Sequence, residues 1–192
     1  MLDKIDIHPA TPDRWQDLEE VFAGKGDPGK CWCAYWYCPA KDYKANWGEA
    51  NKPVVEQRVK EGPPPGVLAY LGADPAGGAG VAPRAGFDRL VRNRQNLAPV
   101  DDRPVWSLNC LVVRREFRKQ GLMRPLIRGA VDFALSSGAI AIEAYPVDTG
   151  DAKKMVWDLW TGTIAAYEDC GFVEVARRGP RQRIMRYWPE SA

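Results

Sequence analysis
The residues best suited to chemistry lie in one short run of this 192-residue chain, Arg114 to Arg124 (RREFRKQGLMR). An apolar, β-branched stretch, Val105 to Val113, precedes it. An amphipathic stretch bearing Leu126, Ile127, Ala130, Val131, Ala134 and Leu135 follows. A buried strand that turns through such a run into a helix aims several unpaired backbone N–H groups at one spot, at the positive end of the helix dipole. Gly121 lets the backbone come close to a ligand, and Arg114, Arg115, Arg118, Lys119 and Arg124 surround the turn with positive charge. The expected ligand group is a pyrophosphate. The run is neither a GxGxxG fingerprint nor a GxxxxGK[ST] loop, so nicotinamide dinucleotides and nucleoside triphosphates lack their residues.

Two further groups of residues could do chemistry. The segment CWCAYWYC contains Cys31, Cys33 and Cys38 among Trp32, Tyr35, Trp36 and Tyr37. Its CxC spacing is tighter than that of zinc ligands, and no histidine or fourth cysteine is near, so no metal site is expected. Trp32, Tyr35 and Trp36 are expected to cover the substrate end of a cleft, where their ring faces attract a cationic amine; core packing accounts for them equally well. Five cysteines with no export signal in the sequence read as thiols rather than a disulfide framework. With His8 as the sole histidine, multi-histidine metal sites and most Ser/His or Cys/His hydrolases are excluded.

The elements that must position these residues follow from spacing. Asp3 to His8 predicts a strand. Thr11 and Pro12 start a helix through Trp15, Leu18, Val21 and Phe22, and Asn51 starts another through Val54, Val55 and Val59 that ends at Gly62. Gly66 to Leu71 and Gly78 to Arg84 predict two strands joined by a DPAGG turn. Beyond a short helix at Phe87 to Val91 come the Val105 to Val113 strand, the helix after Met123 and a strand at Ala139 to Tyr145. A helix at Thr163 to Asp169 and strands at Phe172 to Ala176 and Arg183 to Trp188 complete the order.

LxVxxxxRxxGxM, standing here as Leu111, Val113, Arg118, Gly121 and Met123, resembles the signature of the GNAT superfamily of acyl-coenzyme A dependent N-acyltransferases. Tyr167, four residues before the pair Gly171-Phe172, matches a second element of that family. Met123 replaces a small residue, and Trp160 stands where an asparagine often precedes the tyrosine by seven positions. The resemblance covers Pro104 to about Trp188. It implies an α/β (α+β) fold with a central mixed, mostly antiparallel, twisted sheet flanked by helices. It implies acetyl-CoA as co-substrate, its pantetheine arm paired with the open edge at Leu111 and Val113, and its pyrophosphate held by Arg118, Lys119, Gln120, Gly121, Leu122, Met123 and Arg124. It assigns Tyr167 the role of acid toward the departing thiolate. A base is needed because an amine with pKa near ~10 is protonated at pH 7. Glu143 is the expected base and Asp148 the second candidate.

Composition sets the remaining bounds. Apolar residues at 45%, charged residues at 27% and a net charge of +2 suit one globular domain over residues 1–192, with no charge bias toward nucleic acid or membrane. No stretch approaches the ~20 apolar residues of a membrane span, and the N-terminus lacks an apolar signal region, so a cytoplasmic protein acting on a small-molecule or protein amine is expected, with a homodimer as the commonest assembly. Two rival readings keep less chemistry: a coenzyme A-binding sensor of the same fold, and a cysteine-rich zinc or nucleic-acid interaction protein.

Overall fold
The computed structural model describes residues 4–24, 28–148, 150 and 160–189. Seven strands, β1 (Ile5–Pro9), β2 (Gly66–Leu71), β3 (Asp74–Pro83), β4 (Trp106–Val113), β5 (Ile142–Ala144), β6 (Val173–Arg178) and β7 (Gln182–Tyr187), form one sheet in the order β1-β2-β3-β4-β5-β7-β6. All neighbours are antiparallel except β4 and β5, which run parallel. Helices cover both faces, as the sequence resemblance implies.

On one face lies α6 (Met123–Ser136), whose Leu126, Ile127, Ala130, Val131 and Ala134 are buried against β1 to β4. Burial of its leucine, isoleucine and valine contributes about 2 kcal/mol each, which outweighs the ~1 kcal/mol that Gly129 costs a helix interior. Beside it sits α7 (Ile164–Glu168), begun by Thr163, whose Oγ1 accepts from the Ala166 amide. The other face carries α1 (Trp15–Phe22), α2 (Pro28–Cys31), α3 (Ala40–Ala45), α4 (Lys52–Glu61) and α5 (Asp88–Arg92) over a second apolar core that includes Leu68, Val112 and Ile184.

Two strands differ from the sequence expectation. The hairpin turns at Gly72-Ala73, not at DPAGG, because Leu71 pairs with Asp74 and Gly72 takes φ 64°, the conformation a two-residue hairpin loop needs. Asp74 to Gly78 belong to β3. Pro75 is tolerated there because β3 meets β4 only from Gly77 onward, so its missing N–H costs no bond to that strand. Strand β5 is also shorter than Ala139 to Tyr145. It pairs with β4 only at Trp106, Ser107 and Leu108, and then departs along β7.

That departure splits the sheet. In β4, Gly80 faces Cys110 and Val81 faces Leu108, leaving Asn109 as an unpaired bulge residue. From Asn109 to Val113 the β5-facing edge of β4 meets no strand among the described residues.

Candidate active site
At the end of the open edge the chain passes through a 3-10 turn at Arg115–Phe117 and reaches α6 by way of Lys119 (φ 64°) and Gly121 (φ 80°). Both left-handed residues face solvent, and a Cβ added at Gly121 would meet no atom within 4 Å. Among the described residues, no protein acceptor pairs with the amides of residues 119 to 124. Nearby side chains fold away from them: Arg118 Nε donates to the Val113 carbonyl at 3.1 Å, and Gln120 Nε2 to the Glu116 carbonyl at 2.9 Å. Leu122 and Met123 turn their side chains toward the core, so they offer only backbone N–H groups.

The positive charges divide into two groups. Arg114 is held by Glu20 and Glu116, and Arg124 by Asp169 with Nε at 2.7 Å. Arg124 therefore ties the start of α6 to the end of α7 rather than standing open to a ligand. Arg115, Arg118 and Lys119 form no ion pair among the described residues.

Tyr167 on α7 is fully buried beside this edge, and its hydroxyl donates to the Thr161 carbonyl at 2.9 Å. A Cβ on Gly162 would come within 2.7 Å of the Tyr167 ring and 2.9 Å of Leu111, so the missing side chain is what allows the phenol to approach β4. Burial holds the phenol protonated, well above its ordinary range.

Next to Thr161 an aromatic pocket of about 90 Å³ opens, lined by Tyr35, Trp36, Tyr145 and Trp160, with Thr161 and Gln182 as its polar groups. Tyr35 and Trp160 meet edge to face at 5.2 Å, and Trp36 lies 5.4 Å from Trp160. Tyr35 and Trp36 thus join one wall. Trp32 does not. It is buried between Phe22, at 5.3 Å, and Trp15, at 6.3 Å, inside the helical layer. Tyr145 and Trp160 were not legible as pocket residues; the sequence shows Trp160 only as a departure from a family pattern.

Neither carboxylate singled out as a base is free. Glu143 is 1% exposed; its Oε1 accepts from Arg186 Nη2 at 2.6 Å and its Oε2 from the Tyr145 hydroxyl at 3.1 Å. It is a buried ion-pair carboxylate that fixes Tyr145, and the expectation of a base at Glu143 is corrected on that ground. Asp148 is paired with Arg183, and the Gly150 N–H, donating to it at 2.9 Å, holds its carboxyl below the usual range. No group of three or more His, Cys, Asp or Glu is arranged to hold a metal ion among the described residues, and Cys33 contacts Cys110 rather than Cys38. No helix there is long and apolar enough to cross a membrane.

Comparison with known proteins bears on the family and the fold. No curated protein sequence matches the chain. Among solved structures, an acetyltransferase of the GNAT family from Listeria monocytogenes is similar at 12% identity and a TM-score of 0.56, over 96% of this chain and 95% of that one. A GNAT-family protein from Desulfovibrio desulfuricans is similar at 18% identity and 0.53, over 96% and 99%. The PaiA N-acetyltransferase of Thermoplasma acidophilum, solved in complex with coenzyme A, is similar at 13% and 0.51, over 97% and 99%. At such identities the likeness is one of fold. The model of the acetyltransferase (GNAT) family matches residues 31–172, from the aromatic segment through the split sheet to Phe172. This chain belongs to that family.

Proposed function
We propose that the protein transfers an acetyl group from acetyl-CoA to a primary amine by direct attack. The observation that carries this reading is the row of unpartnered amides at residues 119 to 124, placed beside the open edge of β4. Such amides suit a diphosphate, and Arg115, Arg118 and Lys119 add charge around it. The edge at Asn109 to Val113 meets no strand among the described residues and, apart from the Val113 carbonyl that Arg118 holds, suits an extended amide-bearing arm that pairs like a strand. When bound, the coenzyme supplies an acyl group activated as a thioester.

The remaining steps fall to this chain's residues. The aromatic pocket beside Thr161 draws in the acceptor ammonium by its ring faces and excludes bulk water. Glu143 and Asp148 are engaged by arginines, so the ammonium proton passes to water, and the neutral amine attacks. Tyr167, kept protonated by burial, turns its O–H from the Thr161 carbonyl to the leaving thiolate, and the proton that the amine nitrogen sheds as the amide forms restores the phenol.

Release of free thiol from acetyl-CoA, measured against a panel of primary amines, tests the reading. Turnover with at least one amine is expected. Tyr167→Phe should lower kcat about 100-fold and leave acetyl-CoA affinity unchanged. Tight binding with no turnover on any amine would mean a coenzyme-binding module, and unaltered kcat in the variant would remove Tyr167 from the acid role.

A further inference from the structure
We propose that Cys33 and Cys110 form a peroxide-oxidisable dithiol, a modification site that closes a reversible disulfide between the helical layer and β4. Their Sγ atoms lie 2.6 Å apart, although the residues are 77 positions apart in sequence. A disulfide bond measures about 2.05 Å, so bonding needs a shift of roughly half an ångström. The inference stands on this contact and does not depend on acetyl transfer.

The thiol of Cys33 is held in place rather than brought there by fluctuation. Trp32 (φ 51°) and Cys33 (φ 53°) are consecutive non-glycine residues in the left-handed region, which persists only where surrounding packing enforces it. The stack of Trp32 on Phe22 and Trp15 supplies that packing. Cys33 is half-buried, whereas Cys110 is buried on β4.

Against Cys33 lies a cavity of about 40 Å³, lined in part by Cys33, Asn109, Gly80 and Tyr37. Asn109 is 1% exposed and its Nδ2 has no hydrogen-bond partner among the described residues. A space of that size, lined by a buried asparagine whose amide group keeps unused hydrogen-bonding capacity, suits a molecule of one or two oxygen atoms. Hydrogen peroxide fits that description. A glutathione-sized disulfide does not.

The chemistry balances without another reactant. One sulfur attacks an oxygen of hydrogen peroxide, the O–O bond breaks, and the departing oxygen takes the thiol proton and leaves as water, giving a sulfenic acid. The second sulfur displaces the hydroxyl, which leaves with the second thiol proton as another water as the S–S bond forms. Two thiols lose two electrons in total and one peroxide gains them. A thiol reductant reverses the bond. The neighbouring Cys110 sulfur and burial hold the Cys33 thiol above its usual range, so thiolate is scarce at neutral pH and millimolar peroxide is required. Because Tyr35 and Trp36 stand two and three residues after Cys33, the bond fastens one wall of the aromatic pocket to β4.

The test treats the full chain with millimolar hydrogen peroxide, blocks remaining thiols and maps peptides without reduction. The expected result is a peptide pair joining Cys33 to Cys110, two of the five thiols lost, and a Tm raised by about 10 °C. Dithiothreitol should undo all three. Cys33→Ser should abolish the cross-link and Cys38→Ser should keep it; where the first variant fails to fold, the wild-type map alone decides. Five free thiols after treatment, a link between any other pair, or oxidation of Cys33 beyond the sulfenic state without Cys110 would overturn the proposal. Oxidation by glutathione disulfide as fast as by peroxide would overturn the choice of oxidant.

Discussion
Glu143 shares its two oxygens between Arg186 and the Tyr145 hydroxyl, and Arg186 reaches on to Asp101 at 2.6 Å. Removing one member of a buried ion pair costs about 3–5 kcal/mol because the other charge is left unmatched. Glu143→Gln is therefore expected to lower Tm by about 10 °C, read by thermal melting, while acetyl-CoA affinity holds. A variant with unchanged Tm and collapsed turnover would return Glu143 to the role of base. In the sequence, Glu143 lies within AIAIEAY, and alternation there cannot separate an edge position from an interior one whose charge is met by a strand 43 residues later. Tyr167 was singled out only through the family resemblance, by the Gly171-Phe172 pair four residues on. Trp32 and Tyr35 are alike as letters. Only the left-handed turn at Trp32-Cys33 sends one into the helical core and the other to the pocket wall.

Most elements could be read from periodicity, since α1, α4 and α6 each repeat apolar residues at helical spacing and β4 is continuously apolar. The β2–β3 hairpin was misplaced because DPAGG has turn composition, yet Gly77, Gly78 and Gly80 lie inside β3, where backbone approaches closely. The early end of β5 depends on pairing with β7, which no local pattern encodes. Packing of α6 depends on Gly129 in a way that local propensity opposes. Alanine there would gain the helix about 1 kcal/mol, but its Cβ would stand 2.5 Å from Ile7 Cγ2 and 2.8 Å from Ile7 Cβ. Overpacking of that kind costs typically 1–3 kcal/mol. Gly129→Ala is expected to lower Tm by a few degrees, and Ile7→Ala in the same chain to restore part of the loss. A rise in Tm for the single variant would show that α6 and β1 can move apart freely.

The whole molecule is arranged around the place where its sheet fails to close. Strand β4 is paired on its β3 side except at the Asn109 bulge, while β5 leaves it at Leu108, and the arginine turn, Tyr167 and the aromatic pocket all stand along or beside that gap. Arg124 and Asp169 join the start of α6 to the end of α7. Direct titration of acetyl-CoA into wild type and Gly121→Glu, followed by calorimetry, tests this arrangement at its centre. A Cβ at residue 121 projects into open space, so the variant should fold with only a small loss from its positive φ while its carboxylate occupies the diphosphate position. The wild type is expected to bind and the variant to bind at least about 100-fold more weakly, roughly 2.7 kcal/mol. Equal affinity in a folded variant, or no binding by the wild type, would contradict the account.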